Sequence, residues 1–374
     1  MIVALTVVSG FKSRIRERAV GFMGSVMLVQ PGQNPVNEYY PFSGALSYLD
    51  SLAAVRGVSS IDGVAYTSGL LKTDSEIEGL MFKGVDSLYN LSFLADALVE
   101  GALPDYSGKM SGEIMISRST ASKMGYGVGD QAVVYFIGEQ VKVRKFRVCG
   151  IFEVGMEEID SRFALADIRQ VRRINGWGPS DVSSIEVHSD GSGSVESLSA
   201  KVSEIEFRCA GDDDAPLFVT DVKEFYGGIF DWLNLLDLNV LMIMALMIIV
   251  AGFNMISAVL IILFENIPTI GLLKALGMTS AEVGKVFMIR AGRIVGKGML
   301  LGNLLGIALC LIQKYAGVIK LDRASYFVDC VPIDFPVGQL ICLNVVAAAL
   351  IMILVSTSTL FISKVSPDRT LRME

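Results

Sequence analysis

Histidine is almost missing from these 374 residues: His188 is the only one. The five cysteines, Cys149, Cys209, Cys310, Cys330 and Cys342, include no pair at metal-ligand spacing, and none lies near His188 in sequence. That argues against a zinc centre. A Ser/His/Asp hydrolase has no recognisable signature here. Positive charge is scarce where a nucleic acid would need it. Residues 10–237 hold 21 Lys/Arg against 32 Asp/Glu, an acidic balance that argues against a polyanionic partner. Charge of either sign is absent from Leu238 to Phe264 and again from Val337 to Ser363. A helix needs about 20 consecutive apolar residues to cross a bilayer core, and both stretches exceed that. The chain is 52% hydrophobic with a mean hydropathy of +0.53. The excess over the roughly 45–50% of a soluble domain collects in the last third.

Three membrane helices are expected from the apolar runs, over about Val240–Leu263, Ile294–Val318 and Gly338–Phe361. Short basic loops stay in the cytoplasm. The segment 265–297 carries Lys274, Lys285, Arg290, Arg293 and Lys297 against Glu265 and Glu282, so the first connection faces inward. The tail after Ser363, with Lys364, Arg369 and Arg372, faces inward too. The connection from Lys320 to Phe335, with Asp322, Asp329 and Asp334, faces outward, as does everything before Val240. An outward domain requires an earlier crossing. Met1–Val8 is apolar but too short to span, and it lacks the basic start and cleavage site of a signal peptide. It reads as the outer end of a first membrane helix, with about 12 or more further apolar residues expected upstream in the reading frame.

The expected organisation is therefore a first-helix remnant at 1–9, an extracytoplasmic domain at 10–237, helices at 238–264, 286–318 and 338–363, an inner loop at 265–285, an outer loop at 319–337 and an inner tail at 364–374. The outer domain reads as α+β. Strands are expected at Met27–Gln30, Gly63–Leu71 and Glu113–Ser117, and helices at Ser43–Arg56, Thr120–Met124 and Val195–Ile205. Gln131–Ile137 and Val141–Phe152 form a hairpin about Gly138-Glu139. Cys149 and Cys209 sit where an oxidising compartment would let them pair. The acidic run Gly211-Asp-Asp-Asp-Ala215 lacks the spacing and terminal Glu of an EF-hand and reads as a solvated turn.

Two motifs carry most of the functional argument. Ala291-Gly-Arg-Ile-Val-Gly-Lys-Gly298 imitates a phosphate-binding loop, but Ala291 replaces the first glycine and Gly298 the magnesium-holding Ser/Thr. If ATP drives this protein, another chain binds it. Gly298, Gly302 and Gly306 recur every four residues, the spacing of a flat face for close helix packing. The second motif is Glu265-Asn-Ile-Pro-Thr-Ile-Gly-Leu-Leu-Lys-Ala-Leu-Gly-Met-Thr279. Pro268 suits a first helical turn, Gly277 a helix end, and Thr279 with Glu282 a capping box. So apolar an inner loop invites a protein partner.

This stretch resembles the coupling region of FtsX-like ABC permeases, in Glu265, Ile270, Gly271, Leu273, Lys274, Ala275, Leu276 and Gly277. Asn266 and Thr269 depart from the pattern, where a basic and an acidic residue are usual. Val365-Ser-Pro-Asp-Arg-Thr-Leu-Arg372 resembles the family's terminal signature, and Ser9-Gly-Phe11 the end of its first helix. Met81-Phe-Lys-Gly-Val-Asp86, Val99-Glu-Gly101, Gly127-Val-Gly-Asp130 and Val148–Gly155 leading to Asp160 are similar to the MacB-type outer domain of lipoprotein-releasing (Lol) permeases. The resemblance implies a four-helix membrane bundle with an α+β domain inserted between its first two helices, and no enzymatic activity of its own. It implies an inner-membrane location, a separate ABC ATP-binding subunit holding ATP and magnesium, and a second permease copy or paralogue. In the Lol branch it further implies a lipoprotein cargo and a periplasmic carrier. A MacB-type exporter of antibiotics or peptides and a non-transporting FtsX-like scaffold share the architecture.

Overall fold

The fold is described from a computed structural model covering all residues except 34–38, 74–75, 139, 192, 212–213, 226, 322–329 and 360–374. The terminal signature at 365–372, the middle of the acidic turn and most of the charged outer loop therefore lie outside the described residues. The chain forms two compact units. One is Arg14–Phe230. The other joins Met1–Ser13, Asp231–Leu321 and the chain from 330 onward.

In the first unit the strands are β1 Val26–Val29, β2 Phe42–Ser43, β3 Val58–Lys72, β4 Ile77–Val85, β5 Leu98–Gly101, β6 Glu113–Ser117, β7 Gln131–Phe136, β8 Lys142–Phe152, β9 Phe163–Asp167, β10 Asp181–Val182, β11 Ser184–Ser189 and β12 Phe218–Asp221. The helices are the second half of α1 (Ile2–Met23), which begins in the other unit, then α2 Leu49–Ala53, α3 Ser92–Asp96, α4 Arg118–Met124, α5 Glu157–Asp160, α6 Ile168–Asn175, α7 Val195–Cys209 and α8 Val222–Phe225. The long strand β3 belongs to two systems. Its first half pairs with β11 in an open sheet ordered β12-β1-β11-β3. Its second half enters a closed ring, β3-β4-β9-β6-β8-β7 and back to β3. Closure leaves those strands no free edge. Alternation explains β7, where Ala132, Val134 and Phe136 are buried and Gln131 is exposed. Phe82, Phe136 and Phe146 pack together, with centroids 5.3 Å apart for Phe82–Phe136 and 5.9 Å for Phe82–Phe146.

The α+β reading holds, with one correction of detail. The helix expected over Ser43–Arg56 shrinks to Leu49–Ala53, because Phe42 and Ser43 pair with Val182 and Asp181 in a two-stranded ladder. Short caps set other helix ends, and α4 starts at Arg118, two residues before the expected Thr120. Ser117 Oγ accepts from Thr120 N at the start of α4, and Gly125 closes it in the left-handed region. Cys149 and Cys209 are free thiols, and Cys149 Sγ donates to Ile114 O.

The unit also buries charge. Lys83 and Glu186 are both fully buried, with Nζ 2.7 Å from Oε2. Tyr66 Oη donates to Glu186 Oε1 at 2.7 Å, and Lys83 also donates to Tyr89 Oη at 2.8 Å. Burial alone would raise the Glu186 carboxyl, but the Lys83 ammonium and neighbouring donors hold it down at about 2.

The other unit contains α9 Gly227–Glu265, α10 Ile267–Ala275, α11 Ser280–Ala316 and α12 Val337–Thr359. Among the described residues, three spans are long and apolar enough to cross a membrane: Leu235–Glu265, Ser280–Ala316 and Val337–Ser356. The expected boundary at Ser9/Gly10 falls inside α1, which continues to Met23. Gly10 lies against Pro332 O, where a Cβ would collide, and Ser9 Oγ donates to Asp334 Oδ2 at 3.1 Å. Lys12 pairs with Asp237. Between α11 and α12, Asn303 Nδ2 donates to Asn344 Oδ1 at 2.8 Å.

Candidate coupling site

The segment from Glu265 to Glu282 is a compact helix–turn–helix connection. At the end of α9, Asn266 turns the chain, with its Nδ2 donating back to Ile262 O at 2.7 Å. Pro268 fits the first turn of α10, where no backbone donor is needed. Past Ala275, Gly277 has φ +98° and its N–H reaches Lys274 O, while Met278 N–H reaches Leu273 O. Only glycine takes that conformation without strain. Thr279 then opens α11 with a complete capping box: its hydroxyl accepts from Glu282 N, and the Glu282 carboxylate accepts from Thr279 N at 2.8 Å.

A small core braces the connection. Leu263 of α9, Ile270 of α10, and Val283 and Phe287 of α11 are buried against one another, with Ile262, Leu273 and Met278 packed around them. Burying each large side chain contributes about 1.5–3 kcal/mol. That is ample to hold a nine-residue helix which would be marginal alone.

The expected coupling residues separate by this packing. Ile270 and Gly271 are buried, and Leu273 and Lys274 are half-buried. Glu265, Ala275, Leu276 and Gly277 are exposed. The outward apolar face is made by Leu272, 58% exposed, and Leu276, 76% exposed. Leu272 is the residue that sequence reasoning passes over. The helix is apolar all round, so its phase is set by which leucine meets Val283 and Phe287, and that is a tertiary fact.

The glycine triple on α11 also separates. A Cβ on Gly306 would sit 3.4 Å from Ile2 of α1, whereas one on Gly298 or Gly302 would meet no other part of the described residues within 4 Å. The tightest glycine contact between membrane helices lies elsewhere, at Gly252 of α9, where a Cβ would run into Leu354 of α12. Among the described residues no group of His, Cys, Asp or Glu is placed to hold a metal ion. What the connection offers chemically is an exposed apolar ridge, braced by a small core, at the end of two membrane-length helices.

Comparison with known proteins assigns both units. Residues 241–367 match the FtsX-like permease C-terminal family, and residues 1–205 match the MacB-like periplasmic core domain. The lipoprotein-releasing system transmembrane protein LolC of Xylella fastidiosa (strain Temecula1) is 22% identical, covering 100% of this chain and 90% of its own length. Its counterpart LolE of Haemophilus influenzae is 20% identical, covering 94% of this chain and 85% of its own. Among solved structures, the periplasmic region of MacB from Actinobacillus actinomycetemcomitans is 16% identical with a TM-score of 0.37, covering 56% of this chain and 95% of that one. With a periplasmic core matched at one end, a permease region at the other and three membrane-length apolar helices, the chain belongs to the FtsX-like permeases that carry a MacB-like periplasmic core domain.

Proposed function

We propose that this multi-pass permease works in an ABC transporter that releases lipoproteins from the inner membrane toward a periplasmic carrier. A separate ATPase subunit, holding ATP and magnesium, docks on α10 from the cytoplasm. ATP binding shifts its surface, and α10 passes the motion into α9 and α11 through the shared core. A second permease copy or paralogue completes the assembly. The observation that carries this reading is the exposed Leu272–Leu276 ridge fixed on the buried cluster of Leu263, Ile270, Val283 and Phe287. An apolar ridge outside the lipid calls for a protein partner.

Two further features suit a lipidated cargo. A groove of about 520 Å³ runs between α1, α9 and α12, lined by apolar residues including Leu5, Leu241, Ile248, Val346 and Leu350. It matches the chemistry of an acyl chain, whose removal from a bilayer costs about 0.8 kcal/mol per CH₂ and so requires an energy source. On the periplasmic unit, the β7–β8 hairpin exposes Ile137, Val141 and Val143, an apolar surface for a carrier. The relatives named for lipoprotein release are similar over 90% and 85% of their own lengths, which favours this cargo.

The test is reconstitution with the ATPase subunit in liposomes holding a radiolabelled lipoprotein. ATP-dependent transfer of the label to a soluble carrier is expected. The MacB-like core favours one second reading, an exporter of antibiotics or peptides. Efflux of such compounds without any lipoprotein release would select it.

A further inference from the structure

α11 is longer than a bilayer requires. Its 37 residues span about 55 Å at 1.5 Å per residue, against a hydrocarbon core of about 30 Å. Its charge-free run, residues 298–313, is about 24 Å long and is closed by Lys297 at one end and Lys314 at the other. Arg293 and Arg290 lie one and two turns before Lys297, on the α10 side. With the charge-free run centred in the core, Lys297 stands about 2 Å inside its edge and Arg293 and Arg290 about 4 and 8 Å beyond it, which spans a headgroup layer of about 5–8 Å per side.

Arg290, Arg293 and Lys297 stand at i, i+3 and i+7, within roughly 60° of one helix face. All three are exposed, and none has an acidic partner among the described residues. At the same level the helix makes its contacts within the chain through other residues. Ala291 is buried against Val259 and Val355, and Gly292 approaches Met352. Apolar residues flank the cations on the open side, with Val286, Ile289 and Ile294 all exposed. A water-facing helix would not mix exposed isoleucines with arginines in this way, whereas the boundary between headgroups and acyl chains accommodates both.

From this we infer that the Arg290–Arg293–Lys297 stripe is a binding face for anionic phospholipid headgroups in the leaflet on the α10 side. The charges complement a phosphodiester, arginine offers it a two-pronged donor set, and the depth is that of the phosphates. Self-association through this stripe would set like charges together, which disfavours a second copy as its occupant. The inference rests on α11 crossing a bilayer and is independent of the cargo.

The test reconstitutes the full chain in phosphatidylcholine vesicles with spin-labelled phosphatidylglycerol and reads the motionally restricted fraction. Enrichment over phosphatidylcholine of about fivefold or more is expected, the equivalent of one headgroup contact. It should fall toward one in the triple variant Arg290→Gln, Arg293→Gln, Lys297→Gln, and with added salt on the unmodified chain. It should survive Arg290→Lys with Arg293→Lys, and also a control triple of equal charge change, Arg144→Gln, Arg147→Gln, Lys145→Gln, in the periplasmic unit. No enrichment in the unmodified chain, or equal loss in the control triple, overturns the inference. So does a photo-crosslinker at position 293 that captures protein rather than lipid in native membranes. Lipoprotein release enters none of these readouts.

Discussion

Lys83 shows how one side chain is tied to the stability of the periplasmic unit. Its ammonium and the Glu186 carboxylate lie in the same dry interior, and each is tolerated because the other is there. Lys83→Met takes away the ammonium that balances the buried Glu186 carboxylate and leaves it the hydroxyls of Tyr66 and Tyr89. The variant is expected to lose about 3–5 kcal/mol in urea unfolding, and the double variant Lys83→Met, Glu186→Gln to recover part of it. Asp160 makes a pH-dependent contribution. Burial pushes its carboxyl up to about 6, although Val154 and Gly155 donate their N–H groups to it. Because the folded value lies above the unfolded one, its contribution is complete below the ordinary carboxylate range. It is lost as pH rises through about 6. The slope of stability against pH between about 4 and 6 should flatten in Asp160→Asn, which a pH series of thermal melts would read.

At the scale of elements, α10 divides into an inner and an outer face, and the two predict different failures. Leu276→Asp alters only the exposed ridge. It should abolish co-purification of the ATPase subunit while leaving the thermal melt of the permease unchanged. Leu273→Asp puts a charge beside the Leu263–Ile270–Val283–Phe287 core and should lower the melt as well as ATPase binding. Gly277→Ala forces a side chain into φ +98° and should cost about 1 kcal/mol. Between α11 and α12, Asn303→Leu removes the bond to Asn344 and should weaken helix association by about 0.6–2 kcal/mol. The existence of α10 and its ends is legible from Pro268, Gly277 and Thr279–Glu282, because caps are local chemistry. Its phase is not legible, since Leu272 and Leu273 differ only in what tertiary packing puts beside them. The Lys83–Glu186 pair is hidden for the same reason: the two residues sit 103 positions apart and meet only when β4 and β11 flank β3.

On the whole molecule, the apolar runs announce the membrane helices because a bilayer imposes length and composition on any helix that crosses it. The β-ring of the periplasmic unit is less legible. Its closure depends on β3 changing partners halfway along, from β11 to β4 and β7, and no local pattern marks that change. The proposed function requires a polarity: it needs the α10 ridge in the compartment where ATP is hydrolysed and the MacB-like core in the periplasm. Maleimide labelling in spheroplasts tests this directly, using a cysteine-free background with either Leu276→Cys or Leu88→Cys, both highly exposed positions. A membrane-impermeant reagent should label Leu88→Cys at once and reach Leu276→Cys only after permeabilisation. Labelling of Leu276→Cys in sealed spheroplasts would contradict the assignment of α10 as the ATPase-coupling element.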